Sequence, residues 1–214
     1  MKKSKISLIL NILIVAFVVL GTVFMFTGIK FMPSNDSLVS TKIEMFKYFT
    51  VDSNIFMGII SLVYIFKIKN VTKSLSILKL MATSAVTLTF VTTLVFLTPQ
   101  YGFYALYNNT NLFFHLLVPV LAVISYIFFE NDLLERKDAK FGIIPMFLYS
   151  IFYTTNILIH LNNGGLTVKY DFYGFLRGNI YNMFISIPVM IIVAYLISLI
   201  LILLNMKASV LYEK

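Results

Sequence analysis

The chain has 214 residues, of which 59% are hydrophobic and 12% charged, with a mean hydropathy of +0.91 and a formal net charge of +8. Soluble domains carry about 25% charged residues, so this composition excludes an ordinary soluble protein and predicts a single membrane domain over residues 1–214. Cysteine is absent from the sequence, which excludes disulfides and thiolate metal sites.

Six apolar segments predict the fold. They cover residues 7–29, 46–66, 75–98, 111–129, 141–161 and 183–205, and each approaches the roughly 20 residues that a helix needs to cross a bilayer. The alternating strands of a membrane barrel are not present in this pattern. The first segment follows a cluster of lysines, as in a signal peptide, but it is too long and has no small-residue cleavage site. We therefore expect an all-α membrane protein with six transmembrane helices, the first of them retained.

The distribution of Lys and Arg predicts the orientation. With a cytoplasmic N-terminus, the inner side holds Lys2, Lys3, Lys5, Lys67, Lys69, Lys73, Lys79, Arg136, Lys137, Lys140, Lys207 and Lys214. The outer side then holds Lys30, Lys42, Lys47, Lys169 and Arg177. Because cytoplasmic loops are enriched in these residues, both termini are expected in the cytoplasm and the chain in the cell membrane. This topology accounts for the positive charge without a nucleic-acid partner.

Polar side chains recur at helical spacing within the apolar segments. The second segment carries Thr50, Ser53, Asn54 and Ser61, the third Thr87, Thr92 and Thr93, the fourth Asn111 and His115, the fifth Tyr149, Tyr153, Asn156 and His160, and the sixth, with the residues just before it, Asn179, Asn182 and Ser186. In the expected topology these stripes converge in the outer half of the membrane, whereas the inner halves of the first, fourth, fifth and sixth segments are nearly all Leu, Ile, Val and Phe. The pattern predicts a polar chamber in the outer leaflet half.

Thr50 and His115 are the candidate catalytic pair. Each lies about four residues, or ~6 Å, below the outer surface at ~1.5 Å per residue. A hydroxyl becomes a useful nucleophile when a neighbouring base takes its proton, and histidine is the usual base. Thr50 also has a purely structural interpretation, in which its hydroxyl bonds a carbonyl of its own helix. Such an interpretation fits His115 less well, because burying a histidine in a membrane bundle costs more free energy than burying a threonine. Asp52 faces away from the Thr50 stripe.

The remaining polar residues are candidates for substrate binding. Side-chain amides at Asn54, Asn111 and Asn156 are suited to polarising a carbonyl and stabilising an oxyanion. Arg177, at the interface, is suited to a carboxylate or phosphate head. Its loop, residues 162–182, is long for a compact protein and is a candidate lid. The predicted substrate-binding set is Ser53, Asn54, Asn111, Asn156, His160, Asn182 and Arg177.

Two short motifs carry a resemblance to a known family. Thr50 stands in a Phe-Thr-x-x-Ser-Asn motif near the start of the second segment, and His115 in a His-x-x-x-Pro motif near the start of the fourth. Together with six spans, these motifs resemble the androgen-induced-protein family, whose animal members are intramembrane hydrolases of fatty acid esters of hydroxy fatty acids. The resemblance implies Thr50 as nucleophile, His115 as base, a membrane lipid or acyl ester as substrate and no cofactor.

A third motif departs from the family pattern. Residues 171–176 resemble a Tyr-Pro-Phe-Leu-Asp-like segment of bacterial relatives, but Gly174 stands where the relatives have proline and Arg177 where they have an acid. This difference leaves the choice of acyl substrate open.

Two other functions are compatible with the sequence. His115 and His160 both lie toward the outer side, where two axial histidines would hold a haem. A transporter or a non-catalytic lipid-binding protein is the other alternative, although transport favours an acid at mid-membrane. The acid that the sequence places inside a span, Asp52, lies near the surface.

Overall fold

A computed structural model describes residues 3–32, 41–130, 133–161, 170–176 and 179–212. Six helices are long and apolar enough to cross a membrane: α1 (Ser4–Thr27), α2 (Phe49–Lys67), α3 (Lys73–Tyr101), α4 (Thr110–Phe129), α5 (Arg136–Leu161) and α6 (Ile180–Val210). A 3-10 helix, Lys42–Lys47, precedes α2, and a one-turn helix, Phe103–Leu106, joins α3 to α4. Within these ranges there is no strand. The predicted six-helix, all-α fold is confirmed at this level.

Helix α3 lies at the centre of the bundle. It contacts α2, α4, α5 and α6, whereas α1 packs mainly on α2 and α4. Half of the most apolar stretch of α3 is buried, against 28% for α1 and α6. The outward faces of α1 and α6 consist largely of exposed Ile, Leu, Val and Phe, a surface that lipid covers better than water. This distribution is that of a multi-pass membrane protein.

The two ends of the bundle differ. We call the end at which α2, α4 and α6 begin the upper end and the other the lower end. The Lys and Arg count predicts that the upper end faces outward.

Prolines reshape the helices at the upper end. Pro119 has no N–H and cannot bond the carbonyl of His115, four residues earlier. A π-helical segment, Phe113–Leu117, lies directly before it. In α3 another π-helical segment, Thr92–Leu97, overlaps the turn before Pro99, and the Thr98 hydroxyl donates to the Thr93 carbonyl at 2.7 Å. Such π segments are frequent at functional sites, and one of these two holds His115.

Small residues allow close helix contact. A Cβ atom on Gly58 of α2 would lie 2.7 Å from Val18 Cγ1 of α1, and Gly142 of α5 lies directly against Ser198 of α6. Helices in membranes associate through such small residues, because apolar burial gives little drive in lipid.

The lower half of the bundle is more polar than expected. Lys79 is fully buried within α3 and Glu130 is 3% exposed at the end of α4, and Asn11 and Asn205 are buried in α1 and α6. The expectation that the inner halves of the first, fourth and sixth segments are almost purely apolar was therefore wrong, and Lys79, which the sequence analysis counted only toward the inner side, is a buried residue of the bundle. Lys79 lies six residues inside α3, and its side chain turns toward α2 and α4 instead of toward water.

Five residues form what we call the Lys79 cluster. Lys79 Nζ lies 3.4 Å from Glu130 Oε1 and donates to Asn11 Oδ1 at 2.5 Å and to Ser61 Oγ at 2.9 Å. The Ser125 hydroxyl donates to Glu130 Oε1 at 2.8 Å. Each of the three ammonium protons thus has an acceptor. The cluster joins α1, α2, α3 and α4 through one compensated pair of charges.

Candidate functional site

Thr50 lines a narrow cavity at the upper end, which we call the Thr50 crevice. Its volume is about 30 Å³, and its walls come from α2, α3, α5, α6 and the segment 170–176. Hydroxyl-bearing residues contribute to this wall, namely Thr50, Thr89, Thr92, Thr93, Tyr149 and Tyr173. A cavity of this size holds one or two waters. The crevice is far smaller than the polar chamber that the sequence predicts.

The helical period of α2 brings Thr50, Ser53 and Asn54 to one face. The Ser53 hydroxyl donates to the Thr50 carbonyl at 3.1 Å and lies 3.2 Å from Thr89 Oγ1 of α3. In the described part of the chain, no hydrogen bond joins the Thr50 hydroxyl to a carbonyl of α2, whereas the Thr87 hydroxyl donates to the Thr83 carbonyl at 2.7 Å. Thr87 is therefore a threonine that bonds to its own helix.

Asn54 connects the Thr50 region to α4. Its Nδ2 donates to the Thr50 carbonyl at 2.7 Å and to the Phe114 carbonyl at 3.1 Å. An amide NH₂ has two protons, and both are used here. The residue after Phe114 is His115, so one side chain spans the distance between the backbones of the two candidate catalytic residues.

His115 is held in one orientation from the π segment of α4. Its ring is buried, its Nδ1 lies 2.6 Å from the Leu106 carbonyl, and its edge meets the Tyr107 ring with centroids 6.2 Å apart. Because a carbonyl oxygen only accepts, Nδ1 carries the proton, and the neutral ring presents Nε2 as an acceptor. The orientation and the tautomer are those of a general base.

Among the described residues, Thr50 and His115 are linked only through the backbone, by the two hydrogen bonds of Asn54 to the carbonyls of Thr50 and Phe114. The residues that line the Thr50 crevice do not include His115, and no hydrogen bond joins the two side chains within the described ranges. Their catalytic pairing stays a prediction.

The segment 170–176 closes over the upper end of the bundle. The Tyr153 hydroxyl of α5 donates to the Asp171 carboxylate, and the Leu176 amide donates to Asp171 Oδ2 at 3.1 Å. Gly174 adopts a φ of +66°, a conformation that proline cannot take because its ring fixes φ near about −65°. The backbone conformation at position 174 therefore explains why this chain has glycine there and not proline.

Three of the predicted substrate-binding residues hold this segment. Asn156 Nδ2 donates to the Tyr170 carbonyl at 3.1 Å, and Asn182 Nδ2 donates to the Leu176 carbonyl at 2.8 Å. The His160 ring stacks on the Tyr170 ring with centroids 3.7 Å apart, and its Nδ1 donates to the Asn156 carbonyl. In this structure the three side chains position the segment.

Of the last two predicted residues, only Asn111 is described by the structure, and it does not line the crevice. Asn111 is buried, and its Nδ2 lies 3.4 Å from the Ala105 carbonyl in the connection between α3 and α4. Arg177 and part of the predicted lid, residues 162–169, lie outside the described residues.

Tyr173 is a residue of the crevice that does not belong to the predicted site. Its hydroxyl lies beside those of Tyr149 and Thr50, and burial raises the pKa of Tyr173 to about 12. The hydroxyl therefore stays protonated at neutral pH and is a hydrogen-bond donor at the crevice. Its proximity to Thr50 follows from the inward fold of the segment 170–176.

In the described ranges, no group of three or more His, Asp or Glu side chains is arranged to hold a metal ion. Comparison of the chain with protein-family models, curated proteins and solved structures gave no match. The resemblance carried by the two short motifs therefore stays a prediction.

Proposed function

We propose that the protein is an intramembrane hydrolase of lipid esters, acting on fatty acid esters of hydroxy fatty acids or related acyl lipids. Thr50 is the nucleophile and His115 the base. The observation that carries the proposal is the bond from His115 Nδ1 to the Leu106 carbonyl at 2.6 Å, which leaves Nε2 as an acceptor. Asn54 supports the proposal by tying α2 to α4 next to the two residues, through the carbonyls of Thr50 and Phe114.

The proposed reaction needs no cofactor. His115 Nε2 takes the proton of the Thr50 hydroxyl as Thr50 Oγ1 attacks the acyl carbon, and the imidazolium then gives that proton to the departing alcohol. Water, activated by the same ring, releases the acyl group from Thr50 as a carboxylic acid. The Leu106 carbonyl accepts from Nδ1 throughout and favours the charged ring.

The oxyanion of the tetrahedral intermediate needs a hydrogen-bond donor. Asn54 is not free for this role, since both protons of its NH₂ are engaged with carbonyls. The Tyr173 hydroxyl lies beside Thr50 and keeps its proton, because its pKa is raised to about 12. We therefore assign the donor role to Tyr173 and a positioning role to Asn54.

The structure corresponds to a closed site under this proposal. A crevice of about 30 Å³ does not hold an acyl chain, so substrate binding requires the segment 170–176 to move. Opening and closing of such segments commonly accompany catalysis. Tyr173 would then complete the site on closure.

The test is covalent labelling of the purified protein with a fluorophosphonate acyl-probe analogue. Wild type is expected to be labelled, and Thr50→Ala and His115→Ala to lose labelling by at least about 100-fold, as when a nucleophile or its base is removed. Thr87→Ala is the matched control and keeps it, since the Thr87 hydroxyl donates to the Thr83 carbonyl of its own helix.

Two outcomes contradict the proposal. Labelling that survives Thr50→Ala removes this residue as nucleophile. A folded wild type that is neither labelled nor able to turn over a synthetic ester of a hydroxy fatty acid, while retaining that ester unchanged, indicates a non-catalytic lipid-binding protein.

A further inference from the structure

A second cavity lies beside α2, where Asp52, Ser53 and Phe56 contribute to its wall. It is a groove of about 450 Å³ between α2, α3 and α5, which we call the lateral groove. Most of its wall is apolar and includes Phe46, Phe56, Leu78, Met81, Leu148 and Phe152. Its volume falls within the roughly 300–1,000 Å³ of small-molecule sites.

The lateral groove is long and opens sideways. Helix α5 lines it from Ile144 to Phe152, a rise of about 12 Å at ~1.5 Å per residue. Leu148 is 60% exposed and Phe152 47% exposed, so the groove opens on the surface that faces the membrane. This shape fits an acyl chain that arrives from the bilayer.

One end of the lateral groove is negatively charged. Asp52, in the first turn of α2, is the charged residue of its wall. Asp52 has no ion-pair partner among the described residues, and the nearby Lys47 lies 3.6 Å from Glu44 instead. An ionisable group inside a membrane helix marks a binding site by default. The carboxylate at the upper end is placed to meet a cationic group at the level of the lipid headgroups.

We propose that the lateral groove binds one membrane lipid with an ammonium-bearing headgroup. The acyl chain lies along α5, and the ammonium donates to the Asp52 carboxylate as a charge-assisted hydrogen bond. The groove is separated from the Thr50 crevice by Phe49 and Tyr149, which line both cavities and whose ring centroids are 5.1 Å apart. This binding goes beyond ester hydrolysis and does not depend on a reaction at Thr50.

The test is native mass spectrometry of the full chain with equal amounts of phosphatidylethanolamine and phosphatidylglycerol of identical acyl chains. Wild type is expected to retain phosphatidylethanolamine in about tenfold preference, which corresponds to about 1.4 kcal/mol. Asp52→Asn abolishes the preference. Glu44→Gln is the matched control, because it removes an acid at the same end that is already paired with Lys47, and it keeps the preference.

Two further variants separate the possible outcomes. Leu148→Trp fills the lateral groove and reduces retention of both lipids, and Thr50→Ala leaves the preference unchanged even if it abolishes hydrolysis. Equal retention of the two lipids by wild type, or a preference that persists in Asp52→Asn, overturns the proposal. A lipid-free dimer, whose subunits dissociate in Leu148→Trp, also overturns it, since a second copy would then cover the groove.

Discussion

The Lys79 cluster and the Thr50 crevice are both polar regions on the interface between α2 and α3, but their polar groups are used differently. In the cluster, Lys79 has three acceptors and is fully buried. In the crevice, hydroxyl-bearing residues of three helices line a cavity, and the Thr50 hydroxyl lies beside that of Tyr173. A polar network that is fully satisfied fixes the arrangement of helices. The crevice, by contrast, leaves room for one or two waters beside its hydroxyl-bearing residues.

The largest effect is expected from Lys79→Met, which tests whether the cluster is structural. It leaves Glu130 buried and uncompensated, so we expect a loss of about 3–5 kcal/mol in the free energy of unfolding. Lys79→Met combined with Glu130→Gln removes both charges and should recover most of that loss. Unfolding in mixed detergent micelles measures both. A double variant as unstable as the single variant would show that charge compensation is not what the cluster provides.

A smaller and local effect is expected on the crevice side. Asp171→Ala leaves the Tyr153 hydroxyl and the Leu176 amide without their acceptor, at a cost of about 1–3 kcal/mol per unsatisfied group. Hydrogen exchange of the amides in 170–176 should accelerate accordingly, while exchange in α1 and α4 around the Lys79 cluster is unchanged. Acceleration throughout the chain would mean that the two regions are one cooperative unit.

The pH dependence of stability in Tyr173→Phe tests whether the Tyr173 hydroxyl is buried at the crevice. Burial raises the pKa of Tyr173 to about 12 in the folded protein, against about 10 in an unfolded chain. The folded state therefore holds this proton more tightly, and the associated stability is present below about pH 10 and lost as the pH rises toward about 12. The melting temperature of wild type should fall over this range, and that of Tyr173→Phe should fall less. Identical pH profiles would place the Tyr173 hydroxyl in water.

The smallest effect concerns the hydroxyl pair of Ser53 and Thr89, 3.2 Å apart between α2 and α3. A double-mutant cycle of Ser53→Ala and Thr89→Val should give a coupling of about 0.6 kcal/mol, typical of hydrogen bonds in membrane bundles. The cycle is measured by the same unfolding assay. A coupling above about 2 kcal/mol would make this pair part of a structural network like the Lys79 cluster and would weaken the contrast between the two regions.

The sequence predicts the six helices because hydropathy is summed over some 20 residues. A single polar residue within such a segment therefore does not change the prediction of a membrane-spanning helix. The common face of Ser53 and Asn54 follows equally from the helical period. The Lys79 cluster could not be predicted in this way. Lys79 stands near the beginning of an apolar segment, where a count of charges assigns it only to one side of the membrane, and its partner Glu130 belongs to another helix. Which way such a side chain turns depends on the neighbouring helices.

At the upper end, too, the sequence predicts where polar side chains lie but not which groups they contact. Asn156 and Asn182 fall on the polar faces that the sequence predicts, but what they bind is the backbone of the segment 170–176. Helical periodicity gives the direction of a side chain and not the identity of its partner. The position of Tyr173 beside Thr50 likewise depends on how Asp171 anchors the segment.

The Lys79 cluster also has a consequence for the order in which the chain enters the bilayer. Chains are synthesised from the N-terminus, so α3 and its lysine emerge before Glu130. Until α4 follows, the nascent protein holds a cation whose counter-charge does not yet exist, and a lysine is costly at membrane depth. We therefore expect full membrane insertion of α3 to depend on α4. A nascent chain that ends before Glu130 should keep α3 at the membrane interface, and one that includes Glu130 should insert it fully.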